Sequence, residues 1–195
     1  MKKTRQVFDN RQEQALVCKS GRIMVCLNEE ELKVIEQLPS GMGDDGEMEY
    51  KEVERTQYAY DVYWLDGNGE APLAAAKQST VSEITAYDSS PSVNSFILNG
   101  ASVWLDKATR VGLMNSTTIA KSMGSETTTL WLGEVKLEVE CDKAIQLLSA
   151  LEMYALECFN VTAAHKKAVS ELESIEEVLE YNFTAGYPDK LNMEV

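Results

Sequence analysis

The chain has 195 residues, 44% of them apolar, with 18 basic and 32 acidic side chains and a net charge of −14. That field repels phosphate backbones and anionic lipid, which sets aside general nucleic-acid and membrane-surface binding. No apolar run approaches the ~20 residues of a spanning helix. The length fits one domain or two small ones, able to bury roughly 70% of the unfolded surface.

The start, Met1-Lys2-Lys3-Thr4, is basic, but "RQVFDNRQEQ" follows without an apolar core or cleavage site, so no export signal is read. "ALVCKSGRIMVCL" reads as a hairpin turning at Ser20-Gly21, with Cys18 facing Ile23 and Cys26 facing Ala15. In that register the two cysteines point to opposite faces and cannot bond. With Cys141 and Cys158, and no C-x-x-C pair, all four are expected as free thiols in a reducing compartment.

"NEEELKVIEQL" is expected to be a helix. Asn28 and Glu31 have capping-box spacing, Leu32, Ile35 and Leu38 make a stripe, and Pro39-Ser40-Gly41 ends it. Gly41-Met42-Gly43-Asp44-Asp45-Gly46 matches G-x-G-x-x-G formally. It lacks the preceding strand, and its acids repel phosphate, so it is expected to be a loop and not a nucleotide site. "EVERTQYAYDVYWLD" is a strand, and Asp66-Gly67-Asn68-Gly69 is the clearest break. Two domains are expected, 1–70 and 71–195. The aromatic residues Tyr58, Tyr60, Tyr63 and Trp64 give this strand bulk on both faces and are candidate partner contacts, together with Trp131.

Pro72 opens a helix to about Tyr87. "FILNGASVW" is a hairpin with a type I′ turn at Asn99-Gly100, pairing Leu98 with Ala101 and Phe96 with Val103. Asp106 caps the next helix, Gly124 closes it, and Arg110 reads as the surface partner of Asp106 one turn on. "TTLWLGEVKLEV" repeats the hairpin logic around Gly133-Glu134, pairing Leu130 with Leu137 and laying Lys136 over Trp131. Asp142 is expected to cap the longest helix, whose stripe runs from Ile145 through Leu148, Leu151, Tyr154, Ala155, Cys158, Val161, Thr162 and His165 to Val169. Ser174 and Glu177 have capping-box spacing for a short last helix. The fold class is α+β: an N-terminal β-rich unit with one short helix, then two hairpins packed on three to four helices.

Chemistry is sparse. His165 is the single histidine and sits on the helical stripe, so a packing role is expected. Cys and His are scattered beyond zinc spacing, and Asp66-Gly67-Asn68-Gly69-Glu70 lacks the ligand pattern of a calcium loop. Asn115, Asn160 and Asn182 head N-x-S/T triplets that carry no glycan meaning without secretion. No catalytic, cofactor or metal residue is assigned.

The blocks "AYDSSPSVNSFILNG", "VWLDKATR", "TTLWLG", "ALEMYALECFNVTAAHKKAV" and "FTAGYPDK", over about residues 84–189, resemble an uncharacterised domain-of-unknown-function family of phage and prophage proteins, often found among tail genes. The resemblance implies a phage-derived, tail-associated protein in the bacterial cytoplasm or with the virion. It implies no reaction, and the first seventy residues lie outside it. The leading expectation is a non-enzymatic structural or assembly component that contacts other phage or prophage proteins or itself. The alternatives are a small carboxylate-dependent hydrolase and an acidic DNA mimic.

Overall fold

The computed structural model describes residues 2–42 and 46–194, so the middle of the glycine-rich G-x-G-x-x-G stretch lies outside the described residues. The chain forms two compact units. One comprises Met1–Ser79 with Glu173–Leu179, and the other Thr80–Leu172 with Glu180–Val195.

The first unit is built on strands β1 (Thr4–Phe8), β2 (Ala15–Val17), β3 (Arg22–Met42) and β4 (Met48–Asp66), in the order β1-β4-β3-β2, all antiparallel. The first hairpin is real, but its register differs from the expected one. Cys18 N–H donates to Arg22 O at 2.8 Å and Gly21 takes φ +80°, so the loop has three residues with glycine in the left-handed region. Val17 therefore faces Ile23 and Ala15 faces Val25. A one-residue slip swaps faces, which puts Cys18 and Cys26 on the same side. They lie four residues apart along the ribbon, about 13 Å, and all four cysteines are free.

The expected helix at 28–38 is a correction. Those residues continue β3, which pairs with β4 nearly to its end. Asn28 adopts φ +54° at a bulge between Leu27 and Glu30, a conformation asparagine tolerates. Beyond the bulge Leu32, Val34 and Leu38 fall on one face at even steps, and that strand spacing competes with the helical spacing of Leu32, Ile35 and Leu38. Long-range pairing decides the contest in favour of the strand.

The base of this sheet is buried on both faces. Ile23, Val25, Tyr63 and Leu65 share one, and Met24, Cys26, Tyr60 and Val62 form a cluster on the other with Phe8, Tyr58 and Trp64 against it. Helix α1 (Pro72–Asp88) runs from the first unit into the second.

In the second unit α2 (Pro91–Asn94) leads into β5 (Ser95–Leu98) and β6 (Ala101–Trp104). Leu98 pairs with Ala101 and Phe96 with Val103 across Asn99 (φ +48°) and Gly100 (φ +81°), as the I′ signal predicts. Helix α3 (Lys107–Ser122) is capped by Asp106, whose carboxylate accepts from Thr109 N–H at 2.9 Å. It closes with Gly124 at φ +88° and a Schellman pair, Ser125 N–H to Ala120 O and Gly124 N–H to Lys121 O.

Strands β7 (Thr127–Leu132) and β8 (Val135–Glu140) pair in the expected register. Lys136, however, does not lie over Trp131. Its ammonium is 3.0 Å from Glu138 Oε1. Helix α4 (Cys141–Glu171) starts two residues earlier than expected. Asp142 sits in its first turn and not at the cap, and the first amide is satisfied by Glu126 O at 2.9 Å.

Helix α5 (Ile175–Leu179), which groups with the first unit, is capped by Ser174, which accepts from Glu177 N–H at 3.1 Å; in the second unit β9 (Asn192–Met193) adds in parallel to β5. The core of this unit gathers Phe96, Leu98, Val103, Leu130, Leu132 and Leu148 with their neighbours. The class is α+β. Among the described residues no helix is long and apolar enough to cross a membrane.

Candidate functional site

Two features stand apart from the cores, one in each unit. In the first, the β3–β4 ribbon continues past the bulge as two strands alone. β2 pairs with β3 no further along it than Val25, and β1 pairs with β4 no nearer the ribbon tip than Tyr58. From Glu30 to Met42 and from Met48 to Thr56 nearly every residue is exposed, Ile35 and Tyr50 by 65% and 61%. The register puts Leu32, Val34, Leu38 and Val53 on one face of the ribbon. Salt bridges Lys33–Glu54 (2.7 Å) and Arg55–Glu36 (3.0 Å) cross it.

The candidate contact residues divide. Tyr60 and Tyr63 are buried and cannot face a partner. They fill the base of the sheet, and the Tyr60 hydroxyl accepts from Gln12 N–H at 3.1 Å. Burial pushes its pKa up. Tyr58 and Trp64 are half-buried, under the Arg11 and Arg22 guanidinium groups respectively. Trp131 is 57% exposed, on the solvent side of the second hairpin. Tyr58 and Trp64 share one face of the first unit's sheet, and Trp131 belongs to the second unit.

In the second unit, a cleft of about 550 Å³ opens where the end of α1, the Trp104–Lys107 corner and the middle of α4 meet. Leu105 and Arg110 are its buried part; Trp104, Leu156 and Phe159 are exposed apolar lining. The expected Asp106–Arg110 surface pair does not form. Asp106 spends both oxygens on Thr109, and its amide hydrogen bond from that residue holds the carboxyl below the usual range. Arg110, only 7% exposed, turns inward and donates from Nε to Glu152 Oε1 and from Nη1 to Leu105 O, both at 2.9 Å. Its Nη2 makes no hydrogen bond within the described chain and is not among the buried unpaired atoms, so solvent reaches it.

A polar row runs along α4 beside the cleft. Thr162 donates to Asp88 Oδ1 at 2.8 Å and lies 2.9 Å from the Tyr187 hydroxyl. His165 has both ring nitrogens engaged, Nδ1 with Tyr181 Oη and Nε2 with Ala185 O, each at 2.9 Å. It ties the C-terminal segment to the helix. Deeper in, Tyr154 donates to Val93 O at 2.8 Å, and burial pushes its pKa up to about 12. Among the described residues no group of three or more His, Cys, Asp or Glu is placed to hold a metal.

Sequence reasoning missed Glu152. It lies four residues after Leu148 and three before Ala155, on the shoulder of the stripe, and Leu156 and Phe159 extend that shoulder as apolar residues the core does not need. That surplus was the available signal. Compared with protein-family models, curated proteins and solved structures, the chain matches none.

Proposed function

We propose that the chain is a non-enzymatic structural or assembly protein, phage- or prophage-derived and tail-associated, acting through protein–protein contacts. The observation supporting contact is the ribbon. An isolated two-stranded hairpin is marginal in water, and this one carries exposed Val34, Ile35, Met42, Met48 and Tyr50 with both edges open. Open strand edges and apolar side chains are what a neighbouring subunit covers. The phage context rests on the sequence blocks between residues 84 and 189. In the cleft Asp106 is not prepared as a general acid for hydrolysis. Asp106 is shifted downward, the opposite of what proton donation near neutrality requires, and His165 is occupied elsewhere.

The test replaces Val34–Arg55 by Asn-Gly, closing the ribbon at the Lys33–Thr56 pair. The shortened chain is expected to keep its circular dichroism and melting transition. Put back into an induced prophage lacking the gene, it is expected to fail to restore assembled tails seen by electron microscopy. Full tail assembly with the shortened chain, or without the gene, would overturn the proposal.

A further inference from the structure

The cleft of the second unit combines apolar lining with polar atoms that the fold leaves unused. Trp104, Leu156 and Phe159 expose hydrocarbon around it, and Phe159 is 58% exposed on a helix whose core-facing side carries the fully buried Cys158 and Val169. Arg110 is held almost rigidly by Glu152 and the Leu105 carbonyl, yet Nη2 stays undirected and reached by solvent. A guanidinium fixed in this way is a preorganised donor. On the acceptor side, Asp88 Oδ2 and Glu152 Oε2 receive no hydrogen bond from the described chain.

These leftovers select a ligand. A free anion is disfavoured because Asp88, Asp106 and Glu152 outnumber Lys107 and Arg110 in the lining, within a chain of net charge −14. A neutral carbonyl satisfies Arg110 Nη2 without that repulsion, and an N–H or a cation satisfies the open carboxylate oxygens. One carbonyl, one N–H, an apolar side chain and a nearby positive charge describe a short peptide. We propose that the cleft docks a segment of a partner protein in which an apolar residue is flanked by lysine or arginine. This names the kind of partner and therefore rests on the protein-contact reading. The apolar side chain lies against Trp104 and Phe159, its carbonyl accepts from Arg110, and the flanking cation lies near Asp88.

The experiment uses the full chain, labelled with nitrogen-15, and two synthetic tetrapeptides, acetyl-Lys-Leu-Phe-Lys-amide and acetyl-Glu-Leu-Phe-Glu-amide. In about 0.15 M salt, the lysine peptide is expected to move the Trp104 indole resonance and the amides of Lys107 and Arg110. The Trp131 indole should stay still. Phe159→Ser, at an exposed position that spares the core, should weaken binding about tenfold or more, with the spectrum otherwise retained. The glutamate peptide should bind at least about fivefold more weakly, the preference shrinking as salt rises. No movement of Trp104 up to about 10 mM peptide, a range that captures even weak binding, would overturn the proposal. So would equal binding of the two peptides or an unaffected Phe159→Ser variant. Peptide binding alongside normal tails from the shortened-ribbon chain would remove the tail assignment and leave the cleft. Failed tails with a silent cleft would do the reverse.

Discussion

Replacing Arg110 with methionine separates two readings of the same residue. The variant keeps a stem of similar length but deletes the donors to Glu152 Oε1 and Leu105 O. A surface pair one helical turn apart is worth only a few tenths of a kcal/mol, so an arginine serving Asp106 could be removed almost without effect. The Arg110 side chain is 8% exposed and that of Glu152 is 35% exposed. Breaking a fully buried ion pair costs about 3–5 kcal/mol, and water that still reaches Glu152 reduces this to roughly 2–3 kcal/mol. With a urea slope of about 2 kcal/mol per molar, the midpoint should fall by roughly 1–1.5 M. Near-ultraviolet circular dichroism follows Trp104 and Trp131 in this unit. Glu152→Gln and the double variant complete a cycle whose coupling should be at least about 1 kcal/mol. A midpoint shift below about 0.3 M, or a coupling indistinguishable from zero, would refute the inward pair.

Gly67→Ala should destabilise the chain by about 1–3 kcal/mol, because its Cβ would fall 2.4 Å from Gly21 O, whereas Gly41→Ala, with nothing within 4 Å, should be neutral in the same thermal melt. Asp61 is held below its ordinary pKa by the Asn28 amide and by Lys3 and Arg5. A depressed carboxyl stabilises above its unfolded value, near about 3.9, and loses that contribution as pH falls through the folded value, so Asp61→Asn should flatten the acid limb of a stability profile. Tyr154 behaves in the opposite sense. Its raised pKa stabilises fully below the unfolded value of about 10 and fades as pH rises toward the folded one, so Tyr154→Phe should remove part of the alkaline loss. A thiol reagent at pH 8 should modify Cys18 first, since Cys26, Cys141 and Cys158 are buried and burial raises the pKa of Cys26 and Cys158. More than one fast-reacting thiol per chain would contradict this placement.

What could be read in advance follows the range of the interaction. Asn99-Gly100 and Gly133-Glu134 fold their hairpins through backbone preferences of the turn residues themselves, and both registers were readable from the letters. The Asp106 and Ser174 caps and most of the α4 stripe are equally local. Residues 28–38 read as a helix because their local cues suit one, while the deciding partner, β4, comes only later in the chain. The same limit hid the cleft. Arg110 and Glu152 are 42 residues apart, and no spacing rule joins them. At the first hairpin the difference is one extra loop residue, Lys19, enough to exchange the two faces. Tyr60 and Tyr63 looked like surface candidates because a strand buried on both sides has the same composition as one with a sticky exposed face.

The segment Glu173–Leu179 belongs with the first 79 residues although nearly a hundred others intervene, and its Val178 is completely enclosed. A ribosome making this chain releases the N-terminal strands long before it releases the last piece of their unit. The first unit must wait, unfinished, until synthesis is almost over, while Thr80–Leu172 has already emerged. A nonsense mutation after Leu172 would therefore damage the beginning of the molecule as much as its end, and a single cut cannot liberate either half intact.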